Sequence, residues 1–156
     1  MKNFDKNIKK AISLHQNHQL FEAEKLYKKI LSLDPDNFNA NHLLGALFVQ
    51  TKNYSDGIFY IKKSILINPK IAWPYNNLAN AQIQVKDYNE ALKNCNHAIF
   101  LDPNFLDAYN NRGTIFFELK KFQKAIDDYL FILSIDENYV DAYYNLAQSF
   151  IELKYY

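Results

Sequence analysis

The chain has 156 residues, a formal net charge of +1 and a composition that is 49% hydrophobic, with 12 Tyr, 12 Phe, 3 Gly and 4 Pro. Near-neutral charge excludes the long-range field that general nucleic-acid or acidic-membrane binding requires. A single cysteine, Cys95, excludes an internal disulfide framework, and no apolar run approaches the roughly 20 residues that span a bilayer.

Abundant apolar residues with few breakers point to helices, and the prolines set their organisation. Pro35, Pro69 and Pro103 stand 34 residues apart, with Glu137 at the fourth place, and a fixed period of about 34 marks a repeat array. The units run Phe4–Asn37, Phe38–Ile71, Ala72–Phe105 and Leu106–Tyr139, followed by a half unit, Val140–Tyr156. Each full unit holds two amphipathic segments of about 14 residues, a length at which an isolated helix is marginal in water. They are expected to exist only as packed antiparallel pairs.

Taken in order, the first unit carries Asn7 and Lys10 where later units have an apolar fourth or seventh residue, which suits a terminal cap with a polar outer face. The eighth residue of each unit is small (Ala11, Gly45, Ala79, Gly113, Ala147), as is the twentieth (Ala23, Gly57, Ala91, Ala125). Small residues on facing helices allow close backbone approach, and larger ones would overpack the contact. Tyr75, Tyr109 and Tyr143 open the first segments. Tyr54, Tyr88, Phe122 and Tyr156 mark the start of the second, which ends at Leu33, Ile67, Leu101 or Ile135. Proline shortly afterwards disfavours continued helix.

This pattern resembles the tetratricopeptide repeat: a large residue at position 4, Leu and Gly or Ala at 7 and 8, aromatics at 11, 17 and 24, Ala at 20 and 27, and Pro at 32. The third unit, AWPYNNLANAQIQVKDYNEALKNCNHAIFLDP, departs only at Gln82 and Cys95. Arg112 replaces Leu at position 7 of the fourth unit and is expected to lay its stem on the helix with its head in water. Ile30 and Ile132 are bulkier than the Ala of position 27. The resemblance implies an all-α, right-handed α-solenoid of stacked antiparallel helix pairs, forming one array over residues 1–156.

No Gly-rich phosphate loop, nucleophile elbow or HExxH spacing occurs, so no catalytic residue, metal or cofactor is expected. His15 and His18 lack acidic or thiol company, Cys95 reads as a small buried hydrophobe, and adjacent Asp127 and Asp128 read as solvent-facing charges. The informative set is polar. Asn77, Asn111 and Asn145 recur at position 6, with Asn76, Asn80, Asn110, Thr114, Tyr144 and Gln148 beside them and Trp73, Asp107 and Asp141 one turn earlier. In proteins of this resemblance the first helices line a concave groove, and an Asn ladder there is similar to that of the peroxisomal targeting-signal receptors and the O-linked N-acetylglucosamine transferase arm. An amide both donates and accepts, so it pairs with any peptide unit.

The expected function is therefore a cytoplasmic, non-enzymatic protein–protein interaction scaffold. It would bind an extended peptide segment of a protein partner through Asn77, Asn111, Asn145, Trp73, Asn76, Asn80, Asn110, Thr114 and Gln148, and would bind neither nucleic acid nor membrane. The two-carboxylate clamp for chaperone C-termini is incomplete: Asn76, Asn80 and Asn111 keep its amides, but Asp141 and Asn145 stand where its cations belong. Two alternatives are the N-terminal arm of a larger enzyme, such as a glycosyltransferase or sulfotransferase, and a self-associating module. The first follows from the mid-unit stop at Tyr156 and the second from the aromatic face of Val140–Tyr156, which lacks a following partner helix, so the natural chain is expected to continue or to be covered there.

Overall fold

The computed structural model describes residues 2–155, apart from the side chains at either extremity; the expected landmark Tyr156 lies outside the described residues. These residues form nine helices and no strand: α1 (Lys2–Gln16), α2 (Leu20–Leu33), α3 (Phe38–Gln50), α4 (Tyr54–Ile67), α5 (Ala72–Gln84), α6 (Tyr88–Leu101), α7 (Leu106–Glu118), α8 (Phe122–Ile135) and α9 (Val140–Tyr155). Odd-numbered helices open the pairs and even-numbered ones close them. Each helix packs on the next in sequence, the all-α solenoid expected of the repeat.

Two kinds of turn join the helices, and each is chemically repeated. Between the first and second helix of a pair, His18, Lys52, Lys86 and Lys120 all have φ between 57° and 63°. That left-handed residue closes a Schellman motif: Asn53 N–H donates to the Phe48 carbonyl at 2.8 Å and Lys52 N–H to the Val49 carbonyl at 3.0 Å, with matching bonds at the other three turns. Side-chain caps then start the next helix, Asn53 accepting from Asp56 N–H and Asp87 from Glu90 N–H.

Between pairs, the proline turn is tied to the helix that follows it. The hydroxyls of Tyr75 and Tyr109 donate to the carbonyls of Pro69 and Pro103, both at 3.2 Å. Asn41, at the same place in its own unit, donates to the Pro35 carbonyl at 2.9 Å. A large polar-tipped residue at position 4 thus serves a backbone acceptor left by the turn.

Packing follows the small residues. A Cβ built on Gly45 would stand 2.9 Å from the Ile61 backbone nitrogen and 3.0 Å from the Gly57 carbonyl oxygen, so α3 and α4 meet backbone to backbone. Position 24 fills the space beside these contacts: Tyr27, Ile61, Cys95 and Tyr129 are all at most 1% exposed. At Gly113 the neighbour is the Tyr129 ring, 2.6 Å from a hypothetical Cβ. Cys95 has no exposed surface, and burial pushes its thiol up to about 12, which removes the thiolate that reactivity requires.

Curvature can be read from which helices touch. Among the described residues, consecutive first helices α1, α3, α5, α7 and α9 contact one another, whereas the even-numbered helices contact no other even-numbered helix. First helices therefore line the inner side of the stack. Gly45→Val should destabilise the fold by about 1–3 kcal/mol through overpacking, because beside the Ile61 side chain it meets the Ile61 nitrogen and the Gly57 carbonyl, backbone atoms that cannot step aside. Urea denaturation followed by circular dichroism measures the loss, and wild-type stability of that variant would contradict the close α3–α4 approach.

Candidate functional site: the inner face of the first helices

With helical spacing, positions 2, 6, 9 and 13 of each first helix share one stripe. On α5 these are Trp73, Asn77, Asn80 and Gln84, every one at least partly exposed. The matching residues are Asn39, Leu43, Ala46 and Gln50 on α3, Asp107, Asn111, Thr114 and Glu118 on α7, and Asp141, Asn145, Gln148 and Glu152 on α9. Shallow cavities lie between neighbouring helices along this stripe. One of about 170 Å³ is lined by Ala46, Val49, Gln50, Asn77 and Asn80. Its counterpart of about 140 Å³ is lined by Thr114, Phe117, Glu118, Tyr129, Asn145 and Gln148.

The three asparagines of position 6 do fall in register, but each is already engaged with the preceding helix. Asn145 donates through Nδ2 to Asn110 Oδ1 at 3.1 Å, Asn111 donates to Asn76 Oδ1 at 2.8 Å, and the Asn77 amide meets His42 Nε2 at 2.8 Å. The acceptor is in every case the fifth residue of the previous unit. Position 5 is accordingly drawn inward: His42 is 5% and Asn76 7% exposed. Asn76 and Asn110, expected as groove contacts, are acceptors of the ladder. Linear sequence does not show that the position-6 amides are engaged, because the superhelix alone brings the partner 35 residues away within reach. The paired 34-residue recurrence of position 5 beside position 6 was the signal available.

Each rung nonetheless keeps polar capacity. An amide has two N–H donors and a carbonyl acceptor, and among the described residues the Oδ1 atoms of Asn77, Asn111 and Asn145 accept no hydrogen bond. Of the other expected contacts, Asn80 is exposed. Thr114 turns its hydroxyl back to the Asn110 carbonyl at 3.0 Å, and Gln148 donates to the Tyr144 hydroxyl at 2.7 Å. Trp73 is 37% exposed, its ring held edge-on to His42 and Phe38 with centroids 3.9 and 5.3 Å away. A rigid, half-open indole suits an apolar anchor.

His42 is the buried titratable group of this face. With Nε2 accepting from Asn77, the proton of the neutral ring sits on Nδ1, which is buried without a partner. Burial lowers its pKa from 6.5 to about 3. His15, considered with His18 as a ligand pair, instead bonds Gln50 Oε1 through Nε2 at 2.7 Å, and His18 lies past the end of α1 in the turn. No group of metal-ligating side chains occurs among the described residues, and none of their helices is long and apolar enough to cross a membrane.

Two charge readings need correction. Asp128 is not a solvent-facing carboxylate, and Arg112 does not hold its head in water. Arg112 Nη2 and Nε donate to the two carboxylate oxygens of Asp128 at 2.6 and 2.8 Å, and Nη1 donates to Asn96 at 3.0 Å. Asp128 is 5% exposed. Burial pushes its carboxyl up while the guanidinium opposes this, and the carboxylate in turn raises Arg112. The Tyr109 and Phe116 rings flank the guanidinium with centroids 5.0 and 6.0 Å away. Adjacent charges on a helix point in different directions, and position 23 faces the first helix whereas position 22 does not.

Sequence models of the tetratricopeptide repeat match residues 38–71, 72–105 and 106–139, and the chain belongs to that family of protein-interaction modules. No curated protein sequence matches it. Among solved structures it is similar to MamA (22% identity, 97% of this chain and 82% of that one, TM-score 0.85). It is also similar to YrrB, a TPR protein described as having an unusual peptide-binding site (20% identity, 95% and 76%, TM-score 0.78). The first TPR of Spaghetti (RPAP3), solved bound to the HSP90 peptide SRMEEVD, shares 25% identity over 78% of this chain and 96% of that one, with a TM-score of 0.73.

Two outcomes test the site's wiring. A histidine held neutral by burial favours the folded state fully above its unfolded pKa of about 6.5 and progressively less as pH falls toward 3, with a slope of up to about 1.4 kcal/mol per pH unit. His42→Asn keeps an acceptor for Asn77, as Asn76 and Asn110 do, and should flatten the acid side of a stability–pH curve measured by urea titration between about pH 4 and 7; an unchanged slope would argue against the buried neutral ring. Separately, Arg112→Ala should cost about 3 kcal/mol by stranding the buried Asp128 charge, whereas Arg112→Leu combined with Asp128→Leu should recover most of it. Equal denaturation midpoints for the Ala variant and wild type would show the pair to be idle.

Proposed function

We propose that the chain is a non-enzymatic scaffold that binds an extended segment of a partner protein along the inner face of α3, α5, α7 and α9. The observation that carries this reading is the amide-rich polar stripe, with Trp73 at one end, and the two shallow cavities that open along it between α3 and α5 and between α7 and α9. Trp73 supplies an apolar anchor, and Asn77, Asn111 and Asn145, with Asn80 beside them, supply amides at the repeat period for a peptide backbone. Peptide recognition by YrrB and by the RPAP3 repeat supports a groove-borne function for this fold without fixing the ligand.

The double role of the ladder determines how this is tested. Replacing Asn77, Asn111 and Asn145 by Ala removes three cross-helix bonds, each worth about 0.5–1.5 kcal/mol, so lost binding in that variant would mix stability with recognition. Trp73→Ala with Asn80→Ala alters the groove without touching those bonds. Peptides of 12 residues selected from a random display library on the wild-type protein should bind the double variant at least about tenfold more weakly, a difference of about 1.4 kcal/mol. Fluorescence anisotropy reads the affinities, and Lys93→Ala on the exposed side of α6 serves as the control. Selected peptides indifferent to the double variant, or failure to select any, would overturn the groove reading.

A further inference from the structure

The groove reading leaves the ligand's chemistry open, and the stripe itself bears on it. No Lys or Arg stands at positions 2, 6, 9 or 13 of α3, α5, α7 or α9, whereas Asp107, Glu118, Asp141 and Glu152 all do. The acidic residues are confined to α7 and α9; the corresponding residues of α3 and α5 are Asn39, Gln50, Trp73 and Gln84. The basic residue nearest in sequence, Arg112, is turned away into its pair with Asp128. From α3 to α9 the inner face is therefore neutral at one end and anionic at the other, with Lys9 of α1 at position 6 beyond the neutral end, although the whole chain is close to neutral.

A second observation points the same way and does not depend on charge. Each rung of the ladder spends one N–H on the preceding helix, while its carbonyl oxygen accepts nothing among the described residues. Among the described residues, Asp107 accepts from the Tyr139 phenol at 2.7 Å and Glu118 from the Tyr88 phenol at 3.1 Å. An ionised carboxylate has about four acceptor sites, so one phenol leaves most of them open. The groove presents more acceptors than donors, the reverse of what an acidic segment needs.

Building on the groove reading above, we infer that the occupant is an extended, positively charged protein segment. Its Lys or Arg side chains lie against Asp107, Asp141 and Glu118, its N–H groups against the amide oxygens, and its apolar residue on Trp73. Guanidinium and ammonium groups carry five and three donors and no acceptor, matching what the α7–α9 end offers. An acidic segment there meets like charge without a compensating donor.

The peptides selected from the random 12-residue library supply the test, read now for composition and with a second variant. Asp107→Asn, Glu118→Gln, Asp141→Asn and Glu152→Gln together remove the charge while keeping an acceptor for Tyr139 and Tyr88. Groove-dependent peptides should be enriched in Lys and Arg, bind this variant about tenfold more weakly or worse, and lose affinity as salt is raised. Peptides sensitive to Trp73→Ala with Asn80→Ala but neutral or acidic in composition, or unaffected by the four carboxamides, would overturn the charge inference and leave the groove standing. Peptides sensitive to neither variant would overturn both. Unchanged helical circular dichroism and an unchanged denaturation midpoint in the carboxamide variant separate lost recognition from lost fold.

Discussion

The structure depends on the inability of its helices to stand alone. Apart from the terminal pair α1 and α9, each is 13 or 14 residues long, marginal in isolation, and each gains its stability from a neighbour on either side. The close approach at Gly45 and Gly57 is the extreme case of this dependence: backbone meets backbone, so the space is set by atoms that no rotamer change can move. Where the matching residues are Ala79 and Ala91, both fully buried, the same contact tolerates one methyl group per helix. Position 24 compensates by size, with Tyr, Ile or Cys taking up what remains.

Apolar packing alone would leave the rotation between successive pairs loosely specified, because hydrophobic contact is not directional. Polar bonds at repeat spacing supply direction. The position-4 side chain pins each proline turn to the helix after it, and the position-6 amides of α5, α7 and α9 pin each of these to the first helix before it. The second acts on the inner side of the stack, where consecutive first helices touch. The curvature that makes a groove is thus held by the same asparagines that face into it, so the ladder belongs to fold and surface together.

Sequence made the helices and turns legible because they recur: a period of 34, prolines at fixed places and small residues at positions 8 and 20 are properties of single positions. What it hid were properties of pairs. Asp128 looked like a surface charge beside Asp127 because linear adjacency says nothing about which side of α8 meets Arg112. The surroundings of His42 are equally hidden, because its partners Asn77 and Trp73 lie 35 and 31 residues away and come together only when α3 and α5 stack. The left-handed turn residues His18, Lys52, Lys86 and Lys120 also went unremarked, since Gly is the usual marker of that conformation and none is present.

The pairing of His42 with Asn77 shows how one departure from the repeat alters the inner face without altering the wiring. Asn76 and Asn110 accept from the following rung through an amide oxygen; His42 does so through a ring nitrogen. The geometry survives, but the ring brings a buried Nδ1 with no partner and a flat surface against which Trp73 packs edge-on. An amide at position 42 would leave the indole without that support, and the aromatic end of the groove would lose its rigidity. The neutral end is therefore built around a histidine kept uncharged by burial, while the opposite end exposes carboxylates. A segment lying along the face from α3 to α9, as proposed, would meet apolar surface first and negative charge last.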